Sequence, residues 1–189
     1  AAVAAVVAQL PEGRGLRIVE VGAGTGGTAS TVLPVVHDVC TEYAFTDVSE
    51  MFIVQAQKRF EKHRHFMNYQ LLNIDADPRL QGFAVGSYDI GIATNVLHAT
   101  PCMANTMRNC RRLLSAGGVM VVNEVLRTNA VAQITFGMTD GWWLFSSDAG
   151  RQGQVAPLMS AGHWRRLFAA AGFEGSHCVQ GGGPLNGQA

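Results

Sequence analysis

The sequence predicts an α/β fold built on a doubly wound, mostly parallel sheet. Three observations predict it. Apolar runs of strand length alternate with stretches of helix length, the pattern of βαβ units. A glycine-rich turn, "GAGTGG" at 22–27, joins the first apolar run to the first long helical stretch. Hydrophobic residues make up 48% of the 189, enough to cover both faces of a sheet within a single domain.

Taken in order, the chain opens on "AAVAAVVAQL", which is apolar but has no basic n-region and no initiator Met. It reads as a short helix cut from a longer polypeptide, not as a signal peptide. Strands are predicted at 16–21, 43–46, 67–72, 88–94, 118–124 and 175–179, and helices at 26–37, 50–62, 101–114 and 161–171. Thr100 is placed to cap the third of these helices, with Pro101 at its first position, and Ser160 to cap the fourth. "SAGG" at 115–118 stops one helix and turns into the next strand, and Gly172 ends the last helix. The close, "GGGPLNGQA" at 181–189, belongs to a Gly-rich tail at 180–189.

Lys plus Arg and Asp plus Glu number 14 each, so no basic footprint marks a nucleic-acid or membrane-surface partner. No apolar run approaches the roughly 18 residues that a membrane span needs. Cys40, Cys102, Cys110 and Cys178 are scattered without a C-x-x-C pair. Free thiols in a reducing cytoplasm are expected, and no metal site.

In a doubly wound sheet ligands bind beyond the carboxyl ends of the strands, so whatever follows each strand belongs to the site map. The glycine turn follows the first strand. Glycines let backbone N–H groups approach a ligand that a Cβ would hold away. Gly22, Gly24 and Gly27 satisfy G-x-G-x-x-G, and Asp47 lies 20 residues beyond Gly27, as in a dinucleotide fingerprint. The same loop, Gly26 included, suits S-adenosylmethionine, with Glu20 close to the ligand's ammonium. The loop alone leaves both ligands open. Asp47 ends the second strand and can accept from vicinal ribose hydroxyls or cap the following helix. Asp75, after the third, can accept from an adenine amino group. Asn95, after the fourth, can meet the methionine portion of the ligand.

Several segments extend this pattern: "VEVGAGTGGT", "YAFTDVSEMF", "DADPRLQGFAVGSYDIGIATNVLHAT", "RNCRRLLSAGG", "GWWL" and "MSAGHWRRLFAAAGF". With them the chain resembles the class I S-adenosylmethionine-dependent methyltransferases over about residues 16–175. More narrowly, it is similar to the methyltransferase domains of polyketide synthases. The first segment is common to many methyltransferases, whereas "QGF…GSYDI…NVLHAT" with "GWWL" is far more specific. The resemblance implies a Rossmann-like core excised from a larger synthase. It also implies S-adenosylmethionine as cofactor, and neighbouring synthase domains and an acyl carrier protein with a phosphopantetheine-tethered polyketide as partners. Two departures stand out. Only about ten residues precede Pro11, where family members carry a lid. The tail offers no apolar run for the antiparallel strand on which the family core ends, so either the chain is cut short there or its sheet lacks that strand.

His98 follows the fourth strand and Glu124 ends the fifth, so parallel pairing puts both at the rim that carries the glycine loop. In the resembling domains these positions form a dyad in which His is the base and Glu orients it. A β-ketoacyl thioester has an acidic carbon between two carbonyls, within reach of a histidine. Trp142 and Trp143 in "DGWWLF" can close over the substrate arm or seal the core. Arg127 and Arg151 can meet a phosphopantetheine phosphate or lie on the surface. The function implied is methylation of the α-carbon of a carrier-bound β-ketoacyl thioester. O-methylation of a β-hydroxy or enol oxygen uses the same residues. An NAD-dependent oxidoreductase would carry a Tyr-x-x-x-Lys pair, and Tyr43, Tyr69 and Tyr88 have no Lys four residues on. A non-catalytic synthase domain would not need Gly22, Gly24, Asp47, His98 and Glu124 together.

Overall fold

Parity along the central strand builds the two-sided core. A computed structural model of the chain describes residues 2–127 and 130–179; the predicted tail at 180–189 lies outside them. The chain runs α1 (Ala2–Val7), β1 (Leu16–Val21), α2 (Gly27–Val36), β2 (Cys40–Asp47), α3 (Glu50–Arg59), β3 (Met67–Leu71) and β4 (Tyr88–Thr94). It continues through α4 (Met103–Leu113), β5 (Leu114–Asn123), α5 (Ala130–Phe136), α6 (Asp140–Trp143) and α7 (Ala161–Ala170), with short 3₁₀ turns between. Side chains alternate across a strand. Leu16 and Ile18 of β1 therefore join α1, α2 and α3 in one apolar cluster, with Tyr43 and Phe45 of β2. Val19 and Val21 face the other way, into a cluster with Met103, Met107, Cys110 and Leu113 of α4 and Trp164 of α7.

The strands pair in the order β3-β2-β1-β4-β5, and every pairing is parallel. The winding reverses between β1 and β4, so a crevice opens above their carboxyl ends. No helix among the described residues is long and apolar enough to cross a membrane.

Two sequence expectations are corrected here. Residues 175–179 form no strand. Gly175 sits at φ +75°, and Val179 is exposed, so the stretch has neither an extended start nor an apolar face to bury. The helix predicted from Pro101 starts at Met103 instead. Thr100 turns back to bond the Leu97 carbonyl, at 2.9 Å, and the Met103 N–H is capped by the carboxylate of Asp148, at 3.0 Å. Ser160 does cap α7, accepting from the His163 N–H at 3.3 Å.

Candidate active site

The loop after β1 carries Gly22, Gly24 and Gly26, all with positive φ. At Gly22 a Cβ would overlap the side chain of Val96, so the loop after β4 packs directly on the glycine turn. At Gly24 a Cβ would meet nothing within 4 Å. The bare backbone there borders open space, as a cradle for a ligand requires. Gly26 stands just ahead of α2.

Asp47 braces this turn from the end of β2. Its Oδ2 accepts the Gly24 N–H and its Oδ1 the Ser49 N–H, both at 2.9 Å. Each carboxylate oxygen keeps a second acceptor position, so the brace leaves room for ribose hydroxyls. After β3, Asp75 has a buried Oδ1 with no hydrogen-bond partner among the described residues. A buried acceptor left unmatched is unfavourable, and a donor such as an adenine amino group would satisfy it. Asn95 follows β4 in the left-handed region, at φ 49°, held by its N–H on the Asn123 carbonyl at 2.8 Å.

Glu20 departs from its expected place. It shares the parity of Ile18, so its carboxylate points into the α2–α3 face instead of the crevice. It is 1% exposed and accepts the Tyr43 O–H at 2.6 Å. Burial pushes its pKa up to about 7, against the lowering effect of the Tyr43 hydrogen bond. Such a carboxyl group is engaged in the buried interior with Tyr43 and the backbone of Ala29 in α2.

His98 lies in a 3₁₀ turn, Leu97–Ala99, and Glu124 stands one residue past β5. The carboxylate holds this turn at three points. Oε2 meets His98 Nδ1 at 2.6 Å, and Oε1 accepts the Val96 and Leu97 N–H groups at 3.0 and 2.8 Å. A carboxylate only accepts, so Nδ1 is the donor in this contact, and Nε2 takes no part in it. His98 lines a cavity of about 230 Å³ together with Asn95, Val125, Phe136, Trp142 and Leu158. Asn95 to His98 therefore run from the glycine loop to this cavity within four residues.

The two tryptophans divide. Trp142 is buried, lies edge-on to the His98 ring with centroids 5.9 Å apart, and walls the cavity. Trp143 is 48% exposed and bonds the Gly137 carbonyl instead. Neighbours in a helix point about 100° apart, so one turn cannot aim both rings at one place. Arg151 is fully buried and cannot serve as an open phosphate contact, whereas Arg127 is exposed. The buried Asp148–Arg151 pair beneath the His98 turn has no local sequence signal, because its partners lie about fifty residues away.

Comparison with known proteins agrees with this geometry. Residues 19–120 match the family model described as "Methyltransferase domain". Polyketide synthase ThaG of Burkholderia thailandensis is 42% identical over 174 residues, which is 90% of this chain and 3% of that protein. Methyltransferase calH of Penicillium decumbens is 38% identical over 87% of this chain and 45% of its own length. Trans-methyltransferase CalH has been solved in complex with SAH; it superposes with a TM-score of 0.77 at 40% identity, over 84% of this chain and 44% of that one. CurJ carbon methyltransferase superposes with a TM-score of 0.83 at 38% identity, covering 89% of this chain and 44% of that one. The chain thus spans less than half the length of each of these relatives. With a family model matched over residues 19–120 and relatives among polyketide synthases and carbon methyltransferases, the chain belongs to the methyltransferase domain family.

Proposed function

We propose that the chain methylates the α-carbon of a β-ketoacyl thioester carried on the phosphopantetheine arm of an acyl carrier protein, beside other domains of a synthase. The observation that carries this reading is the His98–Glu124 pair, 2.6 Å apart, with the free imidazole nitrogen on the residue that lines an apolar cavity. Asp47 would hold the cofactor's ribose, Asp75 its adenine amino group, Asn95 its methionine portion, and Gly24 would let the backbone come close. Bound there, S-adenosylmethionine supplies a methyl group already activated on a sulfonium.

The chain's own task is then deprotonation and alignment. His98 Nε2 takes the proton from the carbon between the two carbonyls, and the electron pair stays as the enolate. Glu124 keeps the proton on Nδ1 during this step and favours the imidazolium that results. Trp142, Phe136 and Leu158 exclude water from the enolate and hold the acyl chain against the base. The enolate so formed is nucleophilic at both carbon and oxygen; support for carbon comes from the similarity to CurJ carbon methyltransferase.

The test is turnover of a β-ketoacyl pantetheine thioester, with the product's methyl position read by NMR. The expected product carries the methyl on carbon. His98→Ala should lower kcat by about 10²–10⁴-fold, the usual worth of a general base, while cofactor affinity stays within a few-fold. A methyl on oxygen, or wild-type turnover by His98→Ala, would overturn the assignment.

A further inference from the structure

Arg151 heads the fully buried side chains in size, at 1% exposure, and nothing in the deprotonation just described uses it. A buried guanidinium is costly unless its donors are matched. Here each of its three nitrogens has a partner. Nε donates to Asp148 Oδ2 at 2.9 Å, Nη1 to the His98 carbonyl at 2.7 Å, and Nη2 to the Thr100 carbonyl. Asp148 is anchored in turn by the Met103 N–H and the Gly150 N–H, both at 3.0 Å.

We propose that Arg151 is a positioning residue for the base: it clamps the backbone of His98 at the carbonyl, which Glu124 does not touch, and so directs the imidazole into the cavity. The proposal rests on the reading of His98 as the base. Glu124 grips the ring at Nδ1 and the turn at the Val96 and Leu97 N–H groups. That leaves the outgoing half of the turn, from the His98 carbonyl to the Thr100 carbonyl, without support from the carboxylate. The planar fork of Arg151 spans those two carbonyls, a geometry that an ammonium cannot copy. The Asp148–Arg151 segment also follows α6 by only a few residues, and α6 carries Trp142, whose ring meets His98 edge-on. One buried ion pair therefore ties the base to the wall it works against. Misplacement of a reacting group by about 1 Å can cost about 10²-fold in rate.

Arg151→Lys keeps the charge and removes the fork. In the full chain it should retain the S-adenosylmethionine affinity and the thioester KM within about threefold, while kcat falls by up to about 10²-fold. In a His98→Ala background the same change should cost nothing further, because the residue acts through the base. If Arg151→Lys fails to fold, the paired change Asp148→Asn with Arg151→Met removes both charges together, which buried pairs often tolerate. It should show the same selective loss of kcat. Wild-type kcat in either variant, or losses that multiply with His98→Ala, would overturn the proposal while leaving His98 as the base. Full turnover by His98→Ala would overturn both.

Discussion

At the scale of single residues, Glu20 makes a claim about pH. Its pKa rises from 4.5 to about 7 in the fold, first because of burial. Between those values the native state holds a proton that the unfolded chain has already released. Native stability therefore falls as pH rises through that window, and the loss is complete above about pH 7. A shift of this size corresponds to roughly 3 kcal/mol. Glu20→Gln keeps an oxygen for the Tyr43 O–H and cannot ionise. From pH 5 to pH 8 its stability in urea, measured without cofactor, should gain roughly 2–3 kcal/mol relative to the parent. Parallel stability curves across that range would refute the buried-acid reading. Glu20 also shows what was legible at this scale. His98, Glu124, Asp47 and Asn95 could be brought to one rim because each follows or ends a strand, and strand ends are visible in the sequence. Nearness to Gly22 along the chain does not bring Glu20 into the crevice, because strand parity sends its side chain to the other side of the backbone. The burial of Arg151 is not legible locally, because it depends on carbonyls about fifty residues away.

At the scale of elements, the loops after β1 and β4 act as one unit. Gly22 lies at φ +61°, and a Cβ there would strike Val96, two residues past the end of β4 and two before His98. Gly22→Ala should therefore do two things at once. The left-handed backbone alone costs about 1–3 kcal/mol for a residue with a side chain. The displaced Val96 would also pull on the N–H that Glu124 holds, so turnover should fall further than cofactor binding does. Urea denaturation paired with steady-state kinetics checks both, and unchanged stability with unchanged kcat would refute the contact. The elements that the sequence reading placed well are those whose period is clean: β1 and β4 match their predicted bounds, and α7 ends one residue early. α5 and α6 were not foreseen as helices, because "AVAQITFGMTDGWW" is short, broken by Gly137 and aromatic, with no apolar stripe to follow. The start of α4 was misplaced because its cap, Asp148, comes from a distant segment instead of the residue before it.

At the scale of the whole molecule, the sheet has a seam. β3, β2 and β1 bring Asp75, Asp47 and the glycine loop to one side of it, while β4 and β5 bring Asn95, His98 and Glu124 to the other. A ligand lying across the carboxyl ends must touch both halves, so binding should stabilise the chain as a unit instead of one loop. Ligand that binds only the native state adds about 2.7 kcal/mol at a hundred times its Kd. For a chain of 150–250 residues, each kcal/mol moves Tm by about 2–4 °C, so a rise of about 5–10 °C is expected with S-adenosylmethionine. The unfolding transition should stay single, because the two core clusters share the sheet between them. NADH gives the contrast. Its pyrophosphate would bring two negative charges to the rim where Asp47 and Asp75 stand, so it should leave Tm within about 1 °C. Asp75→Ala tests the far half of the seam by itself: it removes the unmatched acceptor and also a negative charge that interacts with buried Arg151, so the readout is the shift with S-adenosylmethionine taken from the variant's own apo Tm, which should shrink. An equal shift from NADH, or a full S-adenosylmethionine shift in Asp75→Ala, would show that the ligand does not lie across the seam as its residues suggest.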